Sequence, residues 1–105
     1  MSDKQPDELG KIQEHLKKLC SEKGWDKNSI SEVFLLLNEE VGELARAIRK
    51  QTGFKGEMKD KTKENLEEEL ADVFSYVLEI ANRFDIDLAS AYYKKQKINL
   101  DRTWK

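Results

Sequence analysis

Residues 29–51, SISEVFLLLNEEVGELARAIRKQ, decide the fold. Val33, Phe34, Leu36, Leu37, Val41, Leu44, Ala45 and Ile48 recur at the 3- and 4-residue steps of an amphipathic helix. Ser29 and Glu32 have the spacing of a capping box, so the helix is expected to start after Asn28 or Ser29 and to reach about Gln51. Its apolar arc is wider than one neighbouring helix can bury, which points to a second subunit. Acids interrupt that arc. At about 100° per residue, Glu40 projects between Val33, Leu37, Leu44 and Ala47, and Glu43 leaves the same side at i+3.

Reading outward, residues 62–84, TKENLEEELADVFSYVLEIANRF, repeat the pattern. The spacing predicts a central helix from around Thr62 to Phe84, with Glu69 among Leu66, Val73, Tyr76 and Ile80, and Asp72 at the polar edge of the stripe. An earlier helix is expected from near Pro6-Asp7 to Glu22, carried by Leu9, Ile12, Leu16 and Leu19 and ended by Gly24. A last one follows from Leu88 to about Leu100, with Asp87 as its N-cap. Thr52 to Lys61 has glycines, lysines and no apolar period, which predicts a mobile basic loop able to approach a ligand. Nothing alternates with a period of two, and the single proline lies near the N-terminus. The expectation is one all-α domain over residues 1–105 with a flexible stretch at 1–6, a bundle of four to five helices completed by homodimerisation or a dimer of dimers.

Composition sets bounds. Charged residues make up 38% against the roughly 25% of an average chain, yet the net charge is only -2, with both signs interspersed. That suits solvated helix faces and excludes a platform for a nucleic-acid polymer. The one cysteine, Cys20, forbids an internal disulfide, fits a reducing compartment and reads as a small buried apolar side chain. With neither a secretory h-region nor an 18-residue apolar run, no membrane partner is expected and the chain is assigned to the cytoplasm. His15, the only histidine, has no partner at catalytic spacing and receives no chemical role.

Acids on helices are most often simply solvated. Glu40 and Glu69 are not placed for that, because an ionised carboxylate facing a core is costly unless compensated. Two carboxylates about 4 Å apart repel by roughly 4 kcal/mol at an effective dielectric of 20. Oxygen-only ligands without nearby His or Cys select magnesium, or manganese, over zinc. Magnesium binds through a few carboxylates plus substrate phosphates, which makes a phosphate ester or anhydride the expected substrate.

Glu39-Glu40-Val41-Gly42-Glu43 followed by Glu69-Leu70-Ala71-Asp72 resembles the EExxE…ExxD pattern of the MazG-like all-α nucleoside triphosphate pyrophosphohydrolases. The likeness extends through Gly24-Trp25 and through Lys95, Asn99 and Arg102, which keep a KxxxNxxR-like spacing, and it covers most of residues 20 to 104. Ile98 departs from it, standing where many relatives have a basic residue. The resemblance implies hydrolysis of a triphosphate to a monophosphate and pyrophosphate with magnesium, in dimers or dimers of dimers, as a house-cleaning activity on the nucleotide pool. Carried over by position, Glu40, Glu43, Glu69 and Asp72 are the implied metal ligands, Glu39 the residue that orients or deprotonates the attacking water, and Lys95, Asn99 and Arg102 the phosphate-binding set. Trp25, just before a helix start, is placed to stack on a nucleobase or to pack against the helix end; Trp104 reads as a packing or interface residue. The competing class is a non-catalytic helical dimer whose acids hold a structural cation and which serves as an interaction module.

Overall fold

The computed structural model describes residues 8–53 and 64–103. The expected flexible stretch at 1–6, most of the expected basic loop and Trp104 lie outside the described residues. Four α-helices follow in order: α1 (Glu8–Lys23), α2 (Ile30–Thr52), α3 (Glu64–Arg83) and α4 (Leu88–Thr103). The described residues contain no strand, so the protein is all-α as its periodicity requires.

Local chemistry sets the boundaries. Gly24 ends α1 in the left-handed region at φ 77°, a conformation that costs glycine nothing. A single 3-10 turn, Trp25–Lys27, then leads into α2; the apolar period carries no trace of it. The capping box is present in full: Ser29 N donates to Glu32 Oε1 at 2.8 Å, and Glu32 N donates to Ser29 Oγ at 3.1 Å. Donation from Ser29 to the ionised carboxylate, first from its backbone N–H and then from its side chain, holds the Glu32 carboxyl below its ordinary pKa. Asp87 caps α4 as expected, accepting from Ser90 N at 3.2 Å, and α4 runs one turn past Leu100, to Thr103.

The helices pack in a simple order. α2 and α3 lie along one another, α1 rests on α3, and α4 meets α1. Val33 and Ala47 of α2 join Leu78 and Ala81 of α3, Cys20 of α1 and Ala89 of α4 in the core. Val33 and Leu78 are fully enclosed, each contributing about 1.5–3 kcal/mol by leaving water. The junction of α1, the α3–α4 turn and α4 is pinned by a polar latch. Buried Gln13 donates through Nε2 to the Ile86 carbonyl at 2.7 Å and accepts at Oε1 from Leu88 N at 3.3 Å. Asn82 Nδ2 donates to the Gln13 carbonyl at 3.1 Å.

Much apolar surface stays exposed. Phe34, Val41 and Ile48 recur every seven residues along α2, and Leu70, Phe74 and Val77 form a second stripe on α3. No described helix is long and apolar enough to cross a membrane.

Candidate metal centre

Packing α2 against α3 brings three acids together. One carboxylate oxygen from each of Glu40, Glu69 and Asp72 lies within 4.8 Å of the other two, the one such group among the described residues. At that separation each ionised pair repels by roughly 3.5 kcal/mol at an effective dielectric of 20, before solvent screening. Glu40 and Glu69 are half-buried and Asp72 is exposed. The Glu40 carboxyl is accordingly pushed above its ordinary pKa, first by loss of solvent, then by the charges of Asp72, Glu69 and Glu43, and last by a hydrogen bond with Glu69. Glu40 thus retains a proton more readily than an isolated carboxylate.

A second observation separates this cluster from ordinary surface acids. The Oε2 atom of Glu69 is buried and has no hydrogen-bond partner among the described residues. A buried acceptor left without a partner costs about 1–3 kcal/mol, and more when charged. A hard cation held by the three carboxylates would offset their repulsion and could engage that oxygen. The donor set is all oxygen, which fits magnesium or manganese.

Two clefts adjoin the cluster. The larger, about 410 Å³, has Asp72 in its wall with Trp25, Tyr76, Leu16, Leu19 and Leu36. Trp25 and Asp72, singled out separately in the sequence, therefore share one cavity. The smaller, about 240 Å³, is lined by Glu69, Glu43, Arg46, Ala47, Lys50 and Asn65. Glu43 belongs to this cleft and is not in the group of three, although its charge reaches Glu40. Glu39 is exposed; its charge is among those that, after burial and the charges of Glu40, Glu79 and Asp72, raise the Tyr76 phenol pKa. Lys95, Asn99 and Arg102 ride on α4, which packs chiefly on α1, and they line neither cleft. The structure therefore does not bring them to the carboxylates of their own chain.

Tyr76, Arg46 and Lys50 went unread in the sequence as site residues. Tyr76 counted as one more apolar position of α3, yet it follows Asp72 by four residues and so shares its side of the helix. Lys50 follows Glu43 by seven, two turns along the same face. Buried Glu79, which accepts from Arg83 Nη2 at 3.3 Å beside the Cys20 end of the larger cleft, was likewise not singled out. Loss of solvent and the Glu79 charge raise the Cys20 thiol pKa, which makes it a packed, inert sulfur.

Residues 28–99, about two thirds of the chain, match the family model of the MazG nucleotide pyrophosphohydrolase domain. The matched region contains the three clustered carboxylates, Glu39, Glu43, Lys95 and Asn99, and leaves Trp25 and Arg102 outside it. The search of curated proteins found no match.

Proposed function

Because the chain belongs to the MazG nucleotide pyrophosphohydrolase family, we propose that it hydrolyses a nucleoside triphosphate between the α- and β-phosphates with the help of magnesium, as a house-cleaning enzyme of the nucleotide pool. The observation that carries the reading is the buried, unpartnered Glu69 oxygen within a group of three carboxylates at the mouth of a cleft walled by Trp25 and Tyr76. A mononucleotide offers one flat aromatic ring and one chain of anionic oxygens, and the site presents a surface of each kind.

In this reading Glu40, Glu69 and Asp72, with Glu43 at the rim, hold magnesium or, in its place, manganese. The ion would supply neutralisation of the phosphate charge and a lowered pKa for water. Trp25 and Tyr76 take the base by stacking and edge contact. Glu39, exposed beside the cluster, takes a proton from the attacking water, whose oxygen bonds to the α-phosphorus as the bond to the bridging oxygen breaks. Water and a nucleoside triphosphate thus give a monophosphate, pyrophosphate and a proton.

Lys95, Asn99 and Arg102 hold phosphate oxygens in the active site of a second copy of the chain. The seating of α4 on α1, away from the α2–α3 cluster, supports that assignment. The exposed stripes of α2 and α3 support the association, since a contiguous apolar surface of that kind marks an interface.

The test is release of pyrophosphate from a panel of ribo- and deoxyribonucleoside triphosphates with magnesium present. The expected result is stoichiometric pyrophosphate and monophosphate from at least one of them, abolished by chelation of the metal. A folded protein that releases none from any nucleotide returns the chain to the non-catalytic class, a helical dimer with a structural cation.

A further inference from the structure

The two clefts meet at the carboxylates and differ in kind. Asp72 stands in the wall of the larger and Glu69 in the wall of the smaller, and the two residues reach within 4.8 Å of each other. On the Asp72 side the walls are mainly aromatic and aliphatic, with Asn28, Ser75 and Glu79 as polar members and no cation among them. On the Glu69 side two cations, Arg46 and Lys50, line the cleft together with Asn65 and a second acid, Glu43. Arg46 and Lys50 stand at i+3 and i+7 from Glu43, so they share a helix face with it.

Their electrostatic state is unusual for a helix so rich in acids. Glu43 and Arg46 have the spacing of an ordinary ion pair, yet neither Arg46 nor Lys50 forms an ion pair or hydrogen bond among the described residues. Two like charges at i, i+4 repel by a few tenths of a kcal/mol, and here they line one cavity of about 240 Å³ that they share with the carboxylates of Glu43 and Glu69. That volume is roughly eight waters' worth, room for a phosphoryl group and its hydration.

We infer that Arg46 and Lys50 form the seat for the pyrophosphate end of the substrate, on the same chain as the carboxylates. The inference rests on the triphosphate reading above and adds a direction to it. The base enters the Trp25 cleft, the scissile anhydride crosses the carboxylates, and the departing diphosphate lies against Arg46 and Lys50. The guanidinium fork of Arg46 suits two oxygens of one phosphoryl group, and the Lys50 ammonium acts as a point charge on the other. Because the chain's own cations stand at only one of the two clefts, the substrate binds in one sense, and charge gathering on the leaving group is met where it develops.

Binding of inorganic pyrophosphate to the full-length protein, measured by titration calorimetry with magnesium present, tests the seat apart from turnover. Arg46→Gln and Lys50→Gln are each expected to weaken pyrophosphate binding about tenfold, and together about a hundredfold, one factor of ten per charge-assisted bond. The same variants raise KM for the triphosphate and leave inhibition by nucleoside monophosphate within twofold. Arg49→Gln, which removes one positive charge from the same helix outside this cleft, leaves pyrophosphate binding unchanged. Lys50→Met, retaining the aliphatic stem, guards against a packing effect and is expected to behave as Lys50→Gln. Full pyrophosphate affinity in the folded double variant, or no pyrophosphate binding by the unmodified protein, overturns the seat and leaves the hydrolase reading to its own assay. Pyrophosphate binding that depends on both cations in a protein that releases none from triphosphates upholds the seat and overturns the hydrolase reading.

Discussion

Two polar side chains that interrupt apolar stripes, buried Gln13 and half-buried Glu69, stand in opposite surroundings. Gln13, at the junction of α1 and α4, has its amide oxygen and amide nitrogen both engaged, at 3.3 Å and 2.7 Å, and its own carbonyl accepts from Asn82. Glu69, between α2 and α3, keeps an oxygen buried with no partner, in a group of acids that repel one another. The first arrangement lowers the energy of the fold. The second raises it, and such strain persists where a ligand relieves it. Gln13 holds the chain together, whereas Glu69 is proposed to serve a bound cation, although both interrupt apolar stripes in the same way.

The contrast breaks if the two sites respond alike to substitution. Glu69→Gln is expected to lower the rate of pyrophosphate release at least ~10²-fold, a barrier increase of about 2.7 kcal/mol or more, while the melting temperature of the metal-free protein holds or rises. Gln13→Ala should do the reverse. It strands the Ile86 carbonyl and the Leu88 amide and is expected to cost about 1–3 kcal/mol in urea unfolding, with kcat per folded molecule unchanged. Equal losses of activity in both variants would erase the distinction.

A smaller effect sharpens it through pH. The Glu40 pKa is raised in the folded state, so its contribution to stability is fully present below the unfolded-state value and is lost as pH rises through the folded-state value. The metal-free protein is therefore expected to lose stability between mildly acidic pH and neutrality, and a saturating divalent ion should restore it. Glu40→Gln, which removes the charge and keeps a hydrogen-bonding group, is expected to flatten that dependence and to stabilise the metal-free protein at pH 7 by about 1 kcal/mol, on the order of 4 °C in melting temperature. Thermal melts across pH with and without magnesium measure it.

Legibility in the sequence followed the same division. Ser29 with Glu32, Gly24, Asp87 and the apolar steps of α2 and α3 act locally, so cap and period were readable without knowing the partner helix. Glu40 and Glu69 stood out because an acid in an apolar stripe is a local contradiction, and the structure brings both together with Asp72. Gln13 lies in a stripe too, four residues after Leu9 and three before Leu16, but its role depends on Ile86 and Leu88, more than seventy positions away. The cleft shared by Trp25 and Tyr76 likewise depends on how a 3-10 turn settles against α3, which no period encodes. Arg46 and Lys50 were hidden by the frequency of cations on exposed helix faces. Only the cleft that they share with Glu69 distinguishes them.

Glu40, Glu69 and Asp72 are proposed to form one cation site. Titration of the metal-free protein with manganese at pH 7, followed by calorimetry or by the loss of the free-ion paramagnetic resonance signal, tests it without substrate or turnover. Saturable binding that is abolished by Glu69→Gln and untouched by Gln13→Ala is the predicted result. Manganese binding of the same strength in the Glu69→Gln protein, or none in the unmodified one, would contradict it.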